Sequence, residues 1–129
     1  MKRDLELWRA ILLKVEKLPV GQALSSPLEI RDYEEKEIAE HVRLLQEKHY
    51  IEAKINMELL THDTVGAPQI EGYEIYRLFN DGHDFIVNAK NPKIWQSTVD
   101  FIRERGGDVS LAVTKAVMAK EALQLFGLS

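Results

Sequence analysis

Residues 34–78 read EEKEIAEHVRLLQEKHYIEAKINMELLTHDTVGAPQIEGYEIYRL, and the change of period inside this stretch decides the fold. Over Glu34–His49 the apolar residues Ile38, Val42 and Leu45 recur at helical steps, with Ala39 and His49 alongside. From Ile51 the period drops to two. Ile51, Ala53, Ile55 and Met57 alternate with Glu52, Lys54 and Asn56, the pattern of a half-buried antiparallel strand. Residues 60–72, LTHDTVGAPQIEG, form a polar tip longer than an ordinary hairpin loop. Tyr73–Leu78 reads as the returning strand, with Tyr73 and Tyr76 on opposite faces so that at most one is core. Early acids at Glu34, Glu35 and Glu37 suit the positive end of a helix dipole.

Working outward, Arg3–Leu18 reads as an amphipathic helix with Leu5, Trp8, Ile11, Leu12 and Val15 on one face. Pro19 and Gly21 end it. Residues 19–32 are turn-rich, with a short strand expected at Leu28–Ile30, and Asp32 or Tyr33 precedes the second helix. Beyond the hairpin, Asn80 opens a short helix to about Asn88. Asn91-Pro92 then pairs a cap residue with a first-turn proline, starting a helix to Arg105 that carries Trp95, Val99 and Ile102 on one face. Gly106-Gly107 stops it. A last helix begins at Asp108 or Ser110 and runs to Phe126. Ala112, Ala116, Ala119, Leu123 and Phe126 cluster on one of its sides, with Leu111, Met118, Ala122 and Leu125 beside them. A helix feeding a long-tipped hairpin is the second half of a winged helix. The expected fold class is therefore α+β: a winged-helix-like domain of helix, short strand, helix and two-stranded wing, with two additional C-terminal helices. One domain is expected over 1–129, with a core of 1–88 and a helical extension of 89–129.

Charge argues against the usual work of that shape. The chain of 129 residues carries a net charge of −4. Residues 21–63 hold five Lys/Arg against ten Asp/Glu, whereas residues 1–20 hold five against three. A duplex-binding face needs cations, because phosphate neutralisation supplies most of the affinity. The chain has no Cys, which removes disulfides and thiolate metal sites and suits a reducing compartment. The opening MKRDLELWRA is charged and helical rather than signal-like, and no apolar stretch approaches the ~20 residues that span a bilayer. A cytoplasmic protein with no membrane partner is expected.

Four ordered blocks carry a resemblance to a known family: MKRDLELWRAILLKVE, YEEKEIAEHVRLLQEKHYIEA, YRLFNDGHDFIVNAKNPKIW and GGDVSLAV. Together they resemble a bacterial and prophage-associated domain-of-unknown-function family, number 2513. The resemblance implies a winged-helix-like fold and a mobile-element setting, and it implies no catalytic residue or substrate. More widely, EIAEHVRLLQEKHYIEA is similar to the recognition-helix end of many bacterial regulators, and YRLFNDGHDF to their last wing strand and following helix. The chain departs from that pattern twice. No helix precedes Glu34 to complete a helix-turn-helix, and the reading helix opens with Glu34, Glu35, Glu37 and Glu40, where base edges would be met.

No catalytic or cofactor signature is present: phosphate loop, nucleophile elbow and His-Glu-x-x-His are all missing, and no metal or cofactor is expected. His41 and His49 lie too far apart along the helix for one metal between adjacent turns. They read as a buried polar contact and a helix-end cation. The dipeptides His62-Asp63 and His83-Asp84 have no third histidine to complete a shell and read as a loop tip and a turn contact, with a metal hydrolase as the remote alternative. Trp8 and Trp95 read as core anchors rather than base-stacking platforms. Candidate nucleic-acid contacts are Arg43, Lys48, Lys54 and Arg77, against the plainer reading of a solvated face with scattered ion pairs. Lys2, Arg3 and Arg9 form a second basic cluster. Candidate oligomer contacts on the last helix are Leu111, Met118, Leu125 and Phe126, with a homodimer weighed against simple folding-back. The expected function is a non-enzymatic binding module, DNA-binding and regulator-like in a prophage or mobile-element context. The alternative is a protein-protein interaction adaptor without DNA binding.

Overall fold

The computed structural model describes residues 1–58 and 68–128. In chain order the elements are α1 (Leu5–Glu16), β1 (Leu24–Ser25), α2 (Glu35–Glu47), β2 (Ile51–Met57), β3 (Ile70–Leu78), α3 (Asn80–Ala89), α4 (Pro92–Glu104) and α5 (Leu111–Leu125). The fold is α+β, with a three-stranded antiparallel sheet of order β1-β3-β2, consistent with a winged-helix-like arrangement. The chain falls into two compact units, Met1–His83 and Asp84–Ser129. The division lies inside α3 rather than after residue 88.

In the first unit, α1 starts where Asp4 Oδ1 accepts from the Glu6 and Leu7 N–H groups at 2.9 and 3.2 Å, satisfying donors that the helix leaves open. Its buried face is Leu7, Trp8, Ile11, Leu12 and Val15. Leu7 lies nearer the centre of that stripe than Leu5, which is half-buried. The short strand is not Leu28–Ile30 but Leu24–Ser25, paired with Ile75 and Glu74. Pro27 cannot donate to a ladder, and Leu28 is instead buried with its N–H donating to the Tyr73 hydroxyl at 3.3 Å. Between β1 and α2 there is no helix, so the missing first half of a helix-turn-helix is a feature of the fold.

The returning strand is longer than expected. β3 opens at Ile70, opposite Met57, and the ladder continues to a Glu58 N–H to Gln69 carbonyl bond of 2.7 Å. Gly72 reads as a turn residue, yet it sits in the strand, where an added Cβ would come within 3.1 Å of Ser26 Oγ. Close approach, not turning, is its use. The register slips between Glu52 and Ala53, which pair with Arg77 and Ile75. Tyr76 is the extra residue of a bulge. One inserted residue reverses the alternation, so Leu78 is buried opposite Ile51 while Arg77 faces outward with Glu52.

α2 ends in a Schellman motif. The Tyr50 N–H bonds the Leu45 carbonyl and the His49 N–H bonds that of Gln46, both at 2.9 Å. His49 holds the left-handed position at φ 58°, usually a glycine's place. The chain then enters β2 with Tyr50 buried edge-on against Trp8, their centroids 5.4 Å apart at 71°, geometry that adds roughly 0.5–1.5 kcal/mol to area burial. The start of α3 closes on this point. Phe79 N–H donates to the Tyr50 carbonyl at 2.9 Å, and a Cβ on Gly82 would overlap that oxygen, so only glycine fits there.

In the second unit, Asn91 Oδ1 caps α4 by accepting from the Lys93 and Ile94 N–H groups at 2.9 and 3.3 Å, with Pro92 in the first turn. The buried face is Ile94, Trp95, Thr98 and Ile102; Val99 is half-buried. Phe85 meets Trp95 edge-on at 6.3 Å and 68°. α5 is capped by Ser110, whose Oγ accepts from the Val113 N–H at 3.2 Å. It buries Leu111, Thr114, Val117 and Met118. The line Ala112, Ala116, Ala119, Leu123, Phe126 is exposed. The period reveals both apolar stripes of this helix; which one turns inward is decided by packing. Among the described residues no helix is long and apolar enough to cross a membrane.

Candidate interaction surface

α2 and the wing are joined by side chains whose polar ends are already committed. On the inward side, His41 is 1% exposed. Its Nε2 accepts the Asp4 N–H at 2.8 Å, and Nδ1 lies 2.8 Å from the Glu37 carbonyl. The acceptor role of Nε2 puts the ring proton on Nδ1, which donates to Glu37. One neutral imidazole thus pins the first residue before α1 to the middle of α2. Beside it, Tyr33 donates to Asp4 Oδ2 at 3.0 Å. Its hydroxyl is pushed up to about 12, first by burial and then by that carboxylate. Burial also pushes the Tyr73 hydroxyl upward, helped by Glu35.

On the outward side the four residues expected to touch phosphates are interleaved with acids. Arg43 Nε and Nη2 donate to Glu40 Oε2 at 3.0 and 2.6 Å, and Nη1 donates to Glu47 Oε1 at 2.7 Å. The Glu40 bond, ahead of opposing burial, raises the guanidinium's pKa. Arg77 Nε donates to Glu52 Oε1 at 3.0 Å, and its guanidinium lies 4.6 Å above the Phe79 ring centroid. Lys54 stands opposite Glu74 in the ladder. Lys48 and Lys54 are exposed and make no ion pair among the described residues. The structure does bring Arg43 and Arg77 to the α2–wing side of the unit, but each arrives with its own carboxylate.

Between the last turn of α2 and β2 lies an open cleft of about 630 Å³, lined by Gln46, Glu47, His49, Ile51, Glu52, Ala53 and Phe79. β2 is an edge strand, and Gln46 Nε2 donates to the Ala53 carbonyl at 2.9 Å, covering part of the edge that a further strand would use. His49 and Phe79 face each other at 6.4 Å and 55°. Gln46 and Phe79 were not marked by sequence reasoning. Gln46 lies next to the buried stripe, where its contact with a strand seven residues on is invisible to periodicity. The Glu40-Arg43-Glu47 pairing carried a legible signal, since steps of three and four residues place side chains together on a helix.

The other candidates separate. Trp8 and Trp95 are buried, which leaves no ring face for a base. Arg3 of the N-terminal basic cluster lies over Trp8 at 5.1 Å from the ring centroid. His83 and Asp84 are exposed on α3, and His62-Asp63 lies outside the described residues. Among the described residues no three His, Asp or Glu gather in a metal-holding group. Of the candidate oligomer contacts, Leu125 and Phe126 are exposed at 43% and 68%, whereas Leu111 and Met118 are buried at 7% and 2%. The four do not form one surface, because Leu111 and Met118 belong to the inward face of α5.

A family model described as "Hypothetical protein (DUF2513)" matches residues 2–108. An uncharacterized protein of Haemophilus influenzae is 29% identical over 118 residues, which cover 91% of this chain and 92% of that protein. No solved structure matches the chain.

Proposed function

The chain belongs to the DUF2513 family, and from that premise we propose that it is a non-enzymatic binding module whose α2–wing surface takes a protein partner rather than duplex DNA. One observation supports this reading above the others. Arg43, Lys48, Lys54 and Arg77 are interspersed with Glu40, Glu47, Glu52 and Glu74, and the two arginines are ion-paired within that set. Exposed pairs are weak, worth about 0–1 kcal/mol, so phosphate could displace them. The displaced carboxylates would stay beside the phosphates and repel them, and binding by counterion release needs a net cationic surface. The N-terminal turns of α2 add Glu34, Glu35 and Glu37, all exposed, at the end of the helix that would meet base edges. A mixed, self-paired surface beside an open cleft is better matched to the polar rim of a protein interface. The same reading puts the protein in the cytoplasm and, through the family resemblance, in a prophage or mobile-element setting.

The test is a titration of the full chain against mixed duplex DNA at low and moderate salt, followed by fluorescence anisotropy. The expected result is no saturable binding at either salt. A complex that forms at low salt and weakens steeply as salt rises would overturn the proposal in favour of DNA. A photo-crosslinker placed at Glu37 in cells supplies the positive arm. Adducts removed by protease and untouched by nuclease are expected there, and nuclease-sensitive adducts would again favour DNA.

A further inference from the structure

β2 lies at the edge of the sheet, and its main chain faces two ways. The Phe79 N–H donates to the Tyr50 carbonyl and the Glu58 N–H to the Gln69 carbonyl, so the even-numbered residues turn their polar groups to β3. The odd-numbered Ile51, Ala53 and Ile55 turn theirs outward. Among the described residues the one bond that reaches these outward groups comes from Gln46, whose Nε2 donates to the Ala53 carbonyl at 2.9 Å. A side-chain amide there stands where the N–H of a further strand would stand. The side chains divide by the same parity. Glu52, Lys54 and Asn56 are exposed on one face. On the other, burial fades along the strand: Ile51 is buried, Ile55 is half-buried and Met57 is exposed at 42%.

We infer that this edge pairs with the same edge of a second copy of the chain, antiparallel, about a two-fold axis normal to the sheet at Ala53. In that register the strand is its own complement. Ala53 meets the partner's Ala53 and Ile51 meets the partner's Ile55, so outward N–H and carbonyl groups exchange about six main-chain bonds. The Gln46 bond of each copy is given up for them. Glu52 meets the partner's Lys54, and Lys54 the partner's Glu52, at the positions where facing side chains come closest. In the chain's own ladder Arg77 lies across from Glu52 and Glu74 across from Lys54. The joined face therefore runs Arg77, Glu52, the partner's Lys54, the partner's Glu74, with sign alternating at every step. A lysine on an edge strand ordinarily discourages pairing; here it selects the register. A two-fold at Glu52 or at Lys54 sets that residue against the same residue of the partner. One at Ile51 sets Lys54 against the partner's Lys48, and one at Ile55 sets Glu52 against the partner's Glu58, like charges in every case. The apolar face fits too. Each copy brings Ile55 and Met57, its incompletely covered residues, to the other's open cleft, where Ile51, His49 and Phe79 line the wall. Main-chain bonding supplies the drive and charge supplies the register, so the pairing does not depend on a large apolar area. It uses the β2 edge and not the Glu34–Glu37 turns of α2, so it goes beyond the reading proposed above and can fail while duplex DNA stays unbound.

Sedimentation of the full chain over a range of concentrations, with no nucleic acid present, tests it. A monomer–dimer equilibrium is expected. Glu52→Lys and Lys54→Glu each put like charges at both contacts, and each should raise the concentration of half-dimerisation at least about tenfold. Both residues are exposed, so the circular dichroism should not change. Mixed together, the two variants should pair again, because every contact between them is opposite in sign. Gln46→Ala frees the Ala53 carbonyl and should tighten the dimer about fivefold. The chain has no Cys, so introduced thiols report the register. Under mild oxidation Glu52→Cys should cross-link to Lys54→Cys, and neither to itself. Self-cross-linking of Lys54→Cys would move the two-fold and overturn the inference. So would charge variants that stay apart when mixed, or a dimer that Gln46→Ala does not tighten. A chain that remains monomeric to near-millimolar concentration would overturn self-pairing altogether.

Discussion

α2 and α5 are similar helices with opposite surfaces. They run 13 and 15 residues, each buries one face, and each ends in a Schellman motif. α2 turns outward a set of charges that largely satisfy one another, while α5 turns outward a heptad-spaced apolar line. Burial of the inner face stabilises both, so neither outer face is explained by folding. An ion-paired face is at rest in water, so a partner must match its charges to displace the pairs. An exposed apolar line leaves free energy to be gained, at about 25 cal/mol per Å² removed from water. The difference is one of drive: the Glu40, Arg43 and Glu47 charges of α2 are already partnered in water, whereas the apolar line of α5 is left exposed to it.

The inner faces differ as well, and this gives the largest expected effect. Each carries a buried polar residue. His41 on α2 bonds a different element, the Asp4 N–H before α1. Thr114 on α5 donates only to Ser110 of its own helix start, at 3.1 Å. His41→Ala takes the imidazole away from the part-buried Asp4 N–H and the Glu37 carbonyl and opens a void where a buried ring stood, costing about 2–3 kcal/mol. Thr114→Ala loses a methyl and a local hydroxyl bond while gaining helix propensity, so it should cost below about 1 kcal/mol. Urea denaturation of the two variants measures both. Equal losses would mean that the imidazole is not the tie between α1 and α2 that its geometry describes.

How much of this was legible in the sequence follows from what periodicity encodes. The switch from Leu45 to Ile51, the Asn91-Pro92 start and the Gly106-Gly107 stop are local signals, and the structure keeps all three. Two features depend on contacts far along the chain and leave no local mark. Gly72 reads as a turn because its reason for being glycine is Ser26, and Arg77 faces outward only because Tyr76 bulges. The same limit applies to the surface. A helical wheel shows two apolar stripes on α5 without ranking them, and a count of cations at 43, 48, 54 and 77 does not show that Glu52 lies across the ladder from Arg77.

Alkaline pH should separate the two units at intermediate strength. All four tyrosines lie between residues 33 and 76, so the second unit has none. Burial pushes Tyr50 from 10.0 up to about 12, with Asp81 adding to it and Arg3 opposing it, and Tyr33 is raised to a similar value. The fold therefore favours the neutral phenols. That contribution is complete below pH 10 and is lost as pH climbs from about 10 towards 12. Trp8 and Trp95 report one unit each. In a Trp95→Phe protein the Trp8 emission should shift red over that window, and Tyr50→Phe should make the shift shallower. An unchanged profile in Tyr50→Phe would remove Tyr50 from the account.

The smallest effect returns to the helix ends. α4 and α5 close on Gly106 and Gly127, with φ of 107° and 70°, whereas α2 closes on His49 at φ 58°. A side chain there costs roughly 1–2 kcal/mol in backbone strain, partly offset by the greater freedom that glycine loses on folding. His49→Gly should therefore stabilise the chain by about 0.5–1 kcal/mol, raising the urea midpoint without changing the slope. If the variant is instead less stable, the imidazole's position 6.4 Å from Phe79 outweighs the strain it imposes. The left-handed histidine would then be a wall of the α2–β2 cleft, and a strained residue retained at a cleft is where function is to be sought.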